Sequence, residues 1–198
     1  MSEYNEQYLD LSNFGGNGEE LPDGPLKSAG FRQTKPGTYL SQTRTIAAKR
    51  IESGPYAGHY EFLITLTGGV QDAGGKVYNE KFPLTKKVAT IPFKNQDGVD
   101  DSGVAQYLRA FGYKPAGFDF TQIIEAMKET QNIPINVFIS RTDKSVKGED
   151  GKWTSANLKL KDFQNGVAPD GTPIYLDEVT IEGKTYAAKP VVGSFSRI

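Results

Sequence analysis

Apolar and polar positions alternate through much of the middle of the chain, and the period of two marks half-buried strands. Thr38 to about Ile51 carries Thr, Tyr and Ile before Lys49-Arg50, and predicts a long first strand. Tyr60 to Thr67 sets Tyr60, Phe62, Ile64 and Leu66 against Glu61, Leu63, Thr65 and Thr67. Val77 to Leu84 continues the pattern as a third strand, with Pro83 at an edge, a bulge or the strand end because proline has no amide hydrogen to donate. The phase then changes to the period of helices. Ser102 is placed to cap a short helix with Val104, Tyr107, Leu108 and Phe111 on one face and Gly112 after its last turn. Asp119 and Gln122 have capping-box spacing, ahead of a stripe of Phe120, Ile123, Ile124 and Met127. Pro134 blocks helix continuation, and Ile135, Val137 and Ile139 alternate as a fourth strand. Leu158 and Leu160 alternate with Asn157, Lys159 and Lys161 as a fifth.

This order is that of a mainly β five-stranded OB-fold barrel with a helical insert between strands three and four. Residues 30–166 are expected to form that domain. Residues 1–29 precede it as an acidic arm, where Phe14-Gly-Gly-Asn-Gly and Leu21-Pro-Asp-Gly-Pro have the composition of a flexible linker. Residues 167–198 follow as a C-terminal β-hairpin extension, signalled by Val179-Thr-Ile, a Glu182-Gly183 turn and Lys184-Thr-Tyr.

Charge separates along the chain. Residues 1–26 hold six acidic and no basic side chains, whereas residues 27–166 hold 20 Lys and Arg against 14 Asp and Glu. An acidic arm ahead of a basic body fits a polyanion-binding surface, and it also fits an ordinary solvated terminus. The chain has no cysteine, which removes disulfides and thiolate metal sites. No apolar run approaches the ~20 residues of a membrane span, and a cytoplasmic protein with no membrane partner is expected.

Catalytic chemistry fails on inventory. His59 is the sole histidine, so a Cys-His pair is impossible and zinc would rest on carboxylates around one imidazole. No Gly-x-Ser-x-Gly elbow, phosphate loop or dinucleotide fingerprint occurs. Asp97, Asp100, Asp101 and Asp119 sit where turns and helix starts attract acidic residues anyway. The expectation is a binding protein, not an enzyme, with no cofactor and no metal.

The side chains that remain suit single-stranded nucleic acid, which needs flat groups for bases and cations for phosphates. Tyr56, Tyr60, Tyr78 and Trp153 are the stacking candidates; Tyr60 and Tyr78 also fit a barrel core, and Phe62 and Phe82 are expected there. Arg44, Lys49, Arg50, Lys81, Lys86, Lys87, Arg141, Lys144, Lys147, Lys159 and Lys161 are the phosphate candidates. In an OB fold the face of strands two and three, with the first-to-second and fourth-to-fifth loops, is the usual ligand surface. The second of these loops is expected at residues 141–153, with Lys152 beside Trp153.

Pro36-Gly37-x-Tyr39, Tyr60-Glu-Phe-Leu-Ile-Thr-Leu, Val104-Ala-Gln-Tyr-Leu-Arg-Ala-Phe-Gly112 and Ile133-Pro-Ile-Asn-Val-Phe-Ile139 together resemble phage-encoded single-stranded-DNA-binding proteins of the OB-fold type. The resemblance spans residues 30–164. It implies coating and protection of single-stranded DNA during phage DNA replication or recombination, in the host cytoplasm, alongside replication or recombination proteins. Such proteins often end in an acidic tail, whereas this chain ends Gly193-Ser-Phe-Ser-Arg-Ile198 and is acidic at its start. The alternative is a phage virion or assembly protein that uses its β domain for protein contacts; a carbohydrate-binding module comes third. Oligomeric state is left open by the sequence.

Overall fold

The computed structural model describes residues 34–80, 82–147 and 151–198; these described residues belong to one compact unit. The expected first strand is two segments, β1 (Gly37–Ser41) and β2 (Thr45–Arg50). Between them the chain turns at Arg44, whose amide donates to the Gln131 carbonyl at 2.9 Å. β3 (Tyr60–Thr65) pairs antiparallel along all of β2, from Thr45↔Thr65 to Arg50↔Tyr60. Its alternation holds as expected: Phe62, Ile64 and Leu66 are buried, each worth roughly 1.5–3 kcal/mol relative to exposure.

The third strand lies elsewhere than its sequence pattern indicates. Val77 and Tyr78 form only the return arm of a small hairpin, β4 (Val70–Gln71) and β5 (Val77–Tyr78). The Asp72 carboxylate organises its turn by accepting from the Gly74 and Lys76 amides and the Tyr78 hydroxyl, each at 2.9 Å. The strand that pairs with β3 is β6 (Thr85–Ala89). Phe82, expected in the core, is instead 74% exposed in the connection between them. The short hairpin β7 (Pro92–Lys94) and β8 (Asp100–Ser102) follows.

Both helices start where their caps are. Ser102 caps α1 (Gly103–Ala110) through the Ala105 amide, and Gly112 takes the left-handed φ of 89° that glycine adopts without strain. Asp119 and Gln122 form a reciprocal capping box on α2 (Phe120–Glu129). β9 (Ile135–Asp143) alternates strictly, burying Ile135, Val137 and Ile139. Beyond it come a hairpin of β10 (Val146–Lys147) and β11 (Trp153–Thr154), a 3₁₀ turn at Leu160–Phe163, and a ribbon of β12 (Gln164–Val167) and β13 (Pro173–Tyr175). The hairpin β14 (Glu178–Ile181) and β15 (Lys184–Ser196) closes the chain, turning at Glu182 and Gly183, both with positive φ.

Leu158 to Lys161 is therefore not a strand. Asn157 takes a φ of 54°, and the Asp162 carboxylate accepts from the Lys159 amide at 2.7 Å, bending the segment into the 3₁₀ turn. β15 runs along β9 from Ala188↔Asp143 to Ser196↔Asn136, with a bulge between Val192 and Ser194. The C-terminal hairpin is accordingly integral to the main sheet, whose order is β14-β15-β9-β1-β4-β5, beside a second sheet β2-β3-β6. The architecture is mainly β, and its ladders do not close into a barrel among the described residues. One core joins Phe62 and Ile64, Val137 and Ile139, Tyr107, Leu108 and Met127. A smaller one, around Leu158, Phe163, Tyr186 and Ala188, lies under the β9-to-β15 excursion.

Candidate nucleic-acid interface

Residues directly opposite in an antiparallel ladder share a face, so the β2-β3-β6 register defines an outer surface of three rows. Thr45, Thr65 and Thr85 form one row, Ala47, Leu63 and Lys87 the second, and Lys49, Glu61 and Ala89 the third. Glu61 sits between the two lysines, 3.1 Å from Lys49 Nζ and 3.4 Å from Lys87 Nζ. The Lys49 hydrogen bond, with Lys87 adding to it, holds the Glu61 carboxyl below its usual range. Ala47, Ala48 and Leu63 floor a shallow depression under these charges. Arg50 is exposed at the end of β2, where the chain enters the loop of residues 51–59.

That loop is held by its own backbone. The Ile51 amide donates to His59 O at 2.8 Å and the Gly58 amide to Ile51 O at 2.9 Å, presenting Tyr56 half exposed. His59 Nδ1 lies 3.3 Å from Thr90 Oγ1, which also accepts from the Tyr60 amide at 2.9 Å.

The connection from β9 to β15 supplies a second surface. On β10 and β11, Lys147 stands directly opposite Trp153, and the tryptophan is 69% exposed. Lys144 and Lys152 are exposed on the same excursion. Asp143 closes the hairpin at its base: the buried carboxylate accepts from Ser155 Oγ at 2.7 Å and from the Ala156 and Leu158 amides at 2.9 Å. Burial works to raise its pKa, but these donors outweigh it and hold the group below the ordinary value.

Several candidate cations and rings have packing roles instead. Arg44 is 1% exposed; it donates to the Thr130, Ser41 and Ile133 carbonyls and lies 5.0 Å from the centre of the Phe111 ring. Arg141, buried in β9, donates to Leu176 O and pairs with Asp177 at 3.0 Å. Both were expected in phosphate contacts, but each holds loop carbonyls inside the fold. Lys86 faces inward, donating to Gly193 O at 2.9 Å. Tyr60 stacks on Phe120 with ring centres 3.7 Å apart, and Tyr78 meets Tyr39 edge-on at 5.8 Å. Lys159 and Lys161 are exposed around the 3₁₀ turn and not in a strand, and Lys81 lies outside the described residues.

The expected set thus resolves into a sheet face with Lys49 and Lys87, the strand end and loop beside it with Arg50 and Tyr56, and a hairpin with Lys144, Lys147 and Trp153. Glu61 is the candidate-site residue that sequence reasoning missed. Its place between two lysines appears only once β6, not residues 77–84, is paired with β3. Among the described residues no group of three or more His, Cys, Asp or Glu is assembled that could hold a metal, and no helix is long and apolar enough to cross a membrane. Comparison with family models, with curated proteins and with solved structures finds no match.

Proposed function

We propose that the chain is a single-stranded-DNA-binding protein, built on an OB arrangement, that coats and protects exposed strands during phage DNA replication or recombination. Strand order supports the OB reading. β1 and β2 act as one bent first strand, β3 follows beside β2 and β6 beside β3, the two helices come next, and β9 follows beside β1 with β15 beside β9. In this reading β15 is the fifth strand, and the hairpin bearing Trp153 belongs to the fourth-to-fifth loop, a usual ligand element of that fold.

The observation that carries the reading is the pairing of exposed Trp153 with Lys147 across one rung of a polar hairpin. Base stacking on an aromatic ring is worth roughly 1–3 kcal/mol, and a neighbouring cation meets the adjoining phosphate. Lys49 and Lys87 on the sheet face would add phosphate contacts in exchange for their bridge to Glu61. The test is anisotropy of a labelled oligo-dT against a duplex of the same length, at low and moderate salt. Tight, salt-weakened binding to the single strand alone is expected; equal binding to both, or to neither, overturns the reading.

A virion or assembly role is the second reading. It draws on exposed Val167, Ile174, Leu176 and Ile181 in and around β12 to β14, the last of these an edge strand. Stable higher oligomers with no nucleic-acid affinity would favour it.

A further inference from the structure

The ladders stop between β6 and β15, and a groove of about 250 Å³ lies there, lined by Lys86, Val88, Gly103, Gln106, Ser194 and Phe195 among others. Lys86 is opposite Ile64 in the β3 register, so its side chain is directed to the core side of the sheet. Its ammonium makes one hydrogen bond, to the Gly193 carbonyl at the β15 bulge, and among the described residues no carboxylate pairs with it. Half-burial without a counter-charge disfavours the ammonium and lowers the Lys86 pKa. A partly desolvated cation is costly unless an anion compensates it. Lys87 also lines the groove, but its ammonium is engaged by Glu61 at 3.4 Å.

The geometry limits what can enter. Residues of β6 and β15 approach to Cα separations of 8 Å or less. An added strand would need its two neighbours roughly 9.6 Å apart, twice the usual spacing, so an inserted peptide strand does not fit. A small molecule does, since a cavity of about 150 Å³ already holds a benzene ring. Val88 and Phe195 offer an apolar wall, while Gln106 and Ser194 offer polar groups.

We propose that this groove binds a small oxyanion, a carboxylate or a phosphate monoester, whose charged end meets the Lys86 ammonium and whose apolar part lies against Val88 and Phe195. The groove borders the sheet face through Lys87, which lines both, but oxyanion binding at Lys86 does not depend on strand binding. It would be tested by titrating isotope-labelled full-length protein with benzoate and, separately, with inorganic phosphate, following amide NMR shifts. Saturable shifts at Lys86, Val88, Gly103 and Ser194 are expected with at least one probe, and the tighter probe identifies the oxyanion. Lys86→Met, which keeps the stem and removes the charge, should weaken binding by about tenfold or more, equivalent to about 1.4 kcal/mol. Lys86→Arg should retain it, which separates charge from folding. A terminally phosphorylated oligonucleotide that displaces the probe, when its hydroxyl-ended twin does not, would assign the anion to a nucleic-acid end. Failure of both to displace it would assign a free metabolite. No saturable shift with either probe, or equal affinity in Lys86→Met, would overturn the proposal.

Discussion

Arg44 and Trp153 exchange the places that their side chains usually take. The arginine is buried against three carbonyls, and the tryptophan stands in solvent. Arg44→Ala would remove the guanidinium donors from those carbonyls, at about 1–3 kcal/mol for each buried group left unsatisfied. A loss of at least about 2 kcal/mol in chemical denaturation is expected, and an unchanged midpoint would contradict the packing role. Trp153→Ala should behave in the opposite way. It should leave stability nearly untouched and weaken single-strand binding by roughly 1–3 kcal/mol, measured by anisotropy. Such exchanges are hard to read from sequence, because an isolated Arg is an exposed cation by default. What buries Arg44 is the sharp turn between β1 and β2, anchored on residues 130–133 far along the chain. Trp153 was legible because its neighbours, Lys152 and Thr154, offer no apolar company.

At the scale of elements, local signals were legible and pairings were not. The Ser102 and Asp119 caps, the Glu182-Gly183 turn and the alternation of Ile135, Val137 and Ile139 all act within a few residues, and each is found where the sequence places it. The third and fifth strands needed long-range information. Residues 77–84 alternate convincingly, yet it is Thr85–Ala89 that pairs with β3, and Leu158 is drawn into a second core beneath a 3₁₀ turn. Asp143 links such an element to the proposed site, because its carboxylate ties the end of β9 to the residues that follow Trp153. Its pKa is lowered on folding, so the stability it confers is present above the ordinary carboxylate value of 3.8 and is lost as pH falls through the lower folded value. Denaturation midpoints followed through acid should therefore drop steeply below about pH 4. Asp143→Asn should flatten that drop, and an identical acid profile in the variant would contradict the latch.

For the whole molecule, the β14-β15 hairpin changes the account of the domain. The sequence leaves open whether the hairpin after residue 166 lengthens the sheet, covers an edge or mediates oligomerisation; β15 lies beside β9 inside the main sheet and contributes Val192 to the core. Truncation after residue 176 should therefore abolish cooperative unfolding, not merely remove a tail; a truncated chain that still melts cooperatively would refute this. Charge acts at the same scale. Removing residues 1–26 deletes six acidic side chains and leaves 23 basic against 18 acidic. Long-range repulsion of phosphate should fall, so single-strand binding should tighten at low salt and converge with that of the full chain as salt screens it. The central claim, that the hairpin tryptophan stacks on bases, has a direct probe, since Trp153 is the chain's sole tryptophan. Titrating the protein with oligo-dT while following intrinsic tryptophan fluorescence should give saturable quenching that higher salt shifts to higher DNA concentration and that duplex does not reproduce. Binding seen by anisotropy with unchanged Trp153 emission would contradict the account.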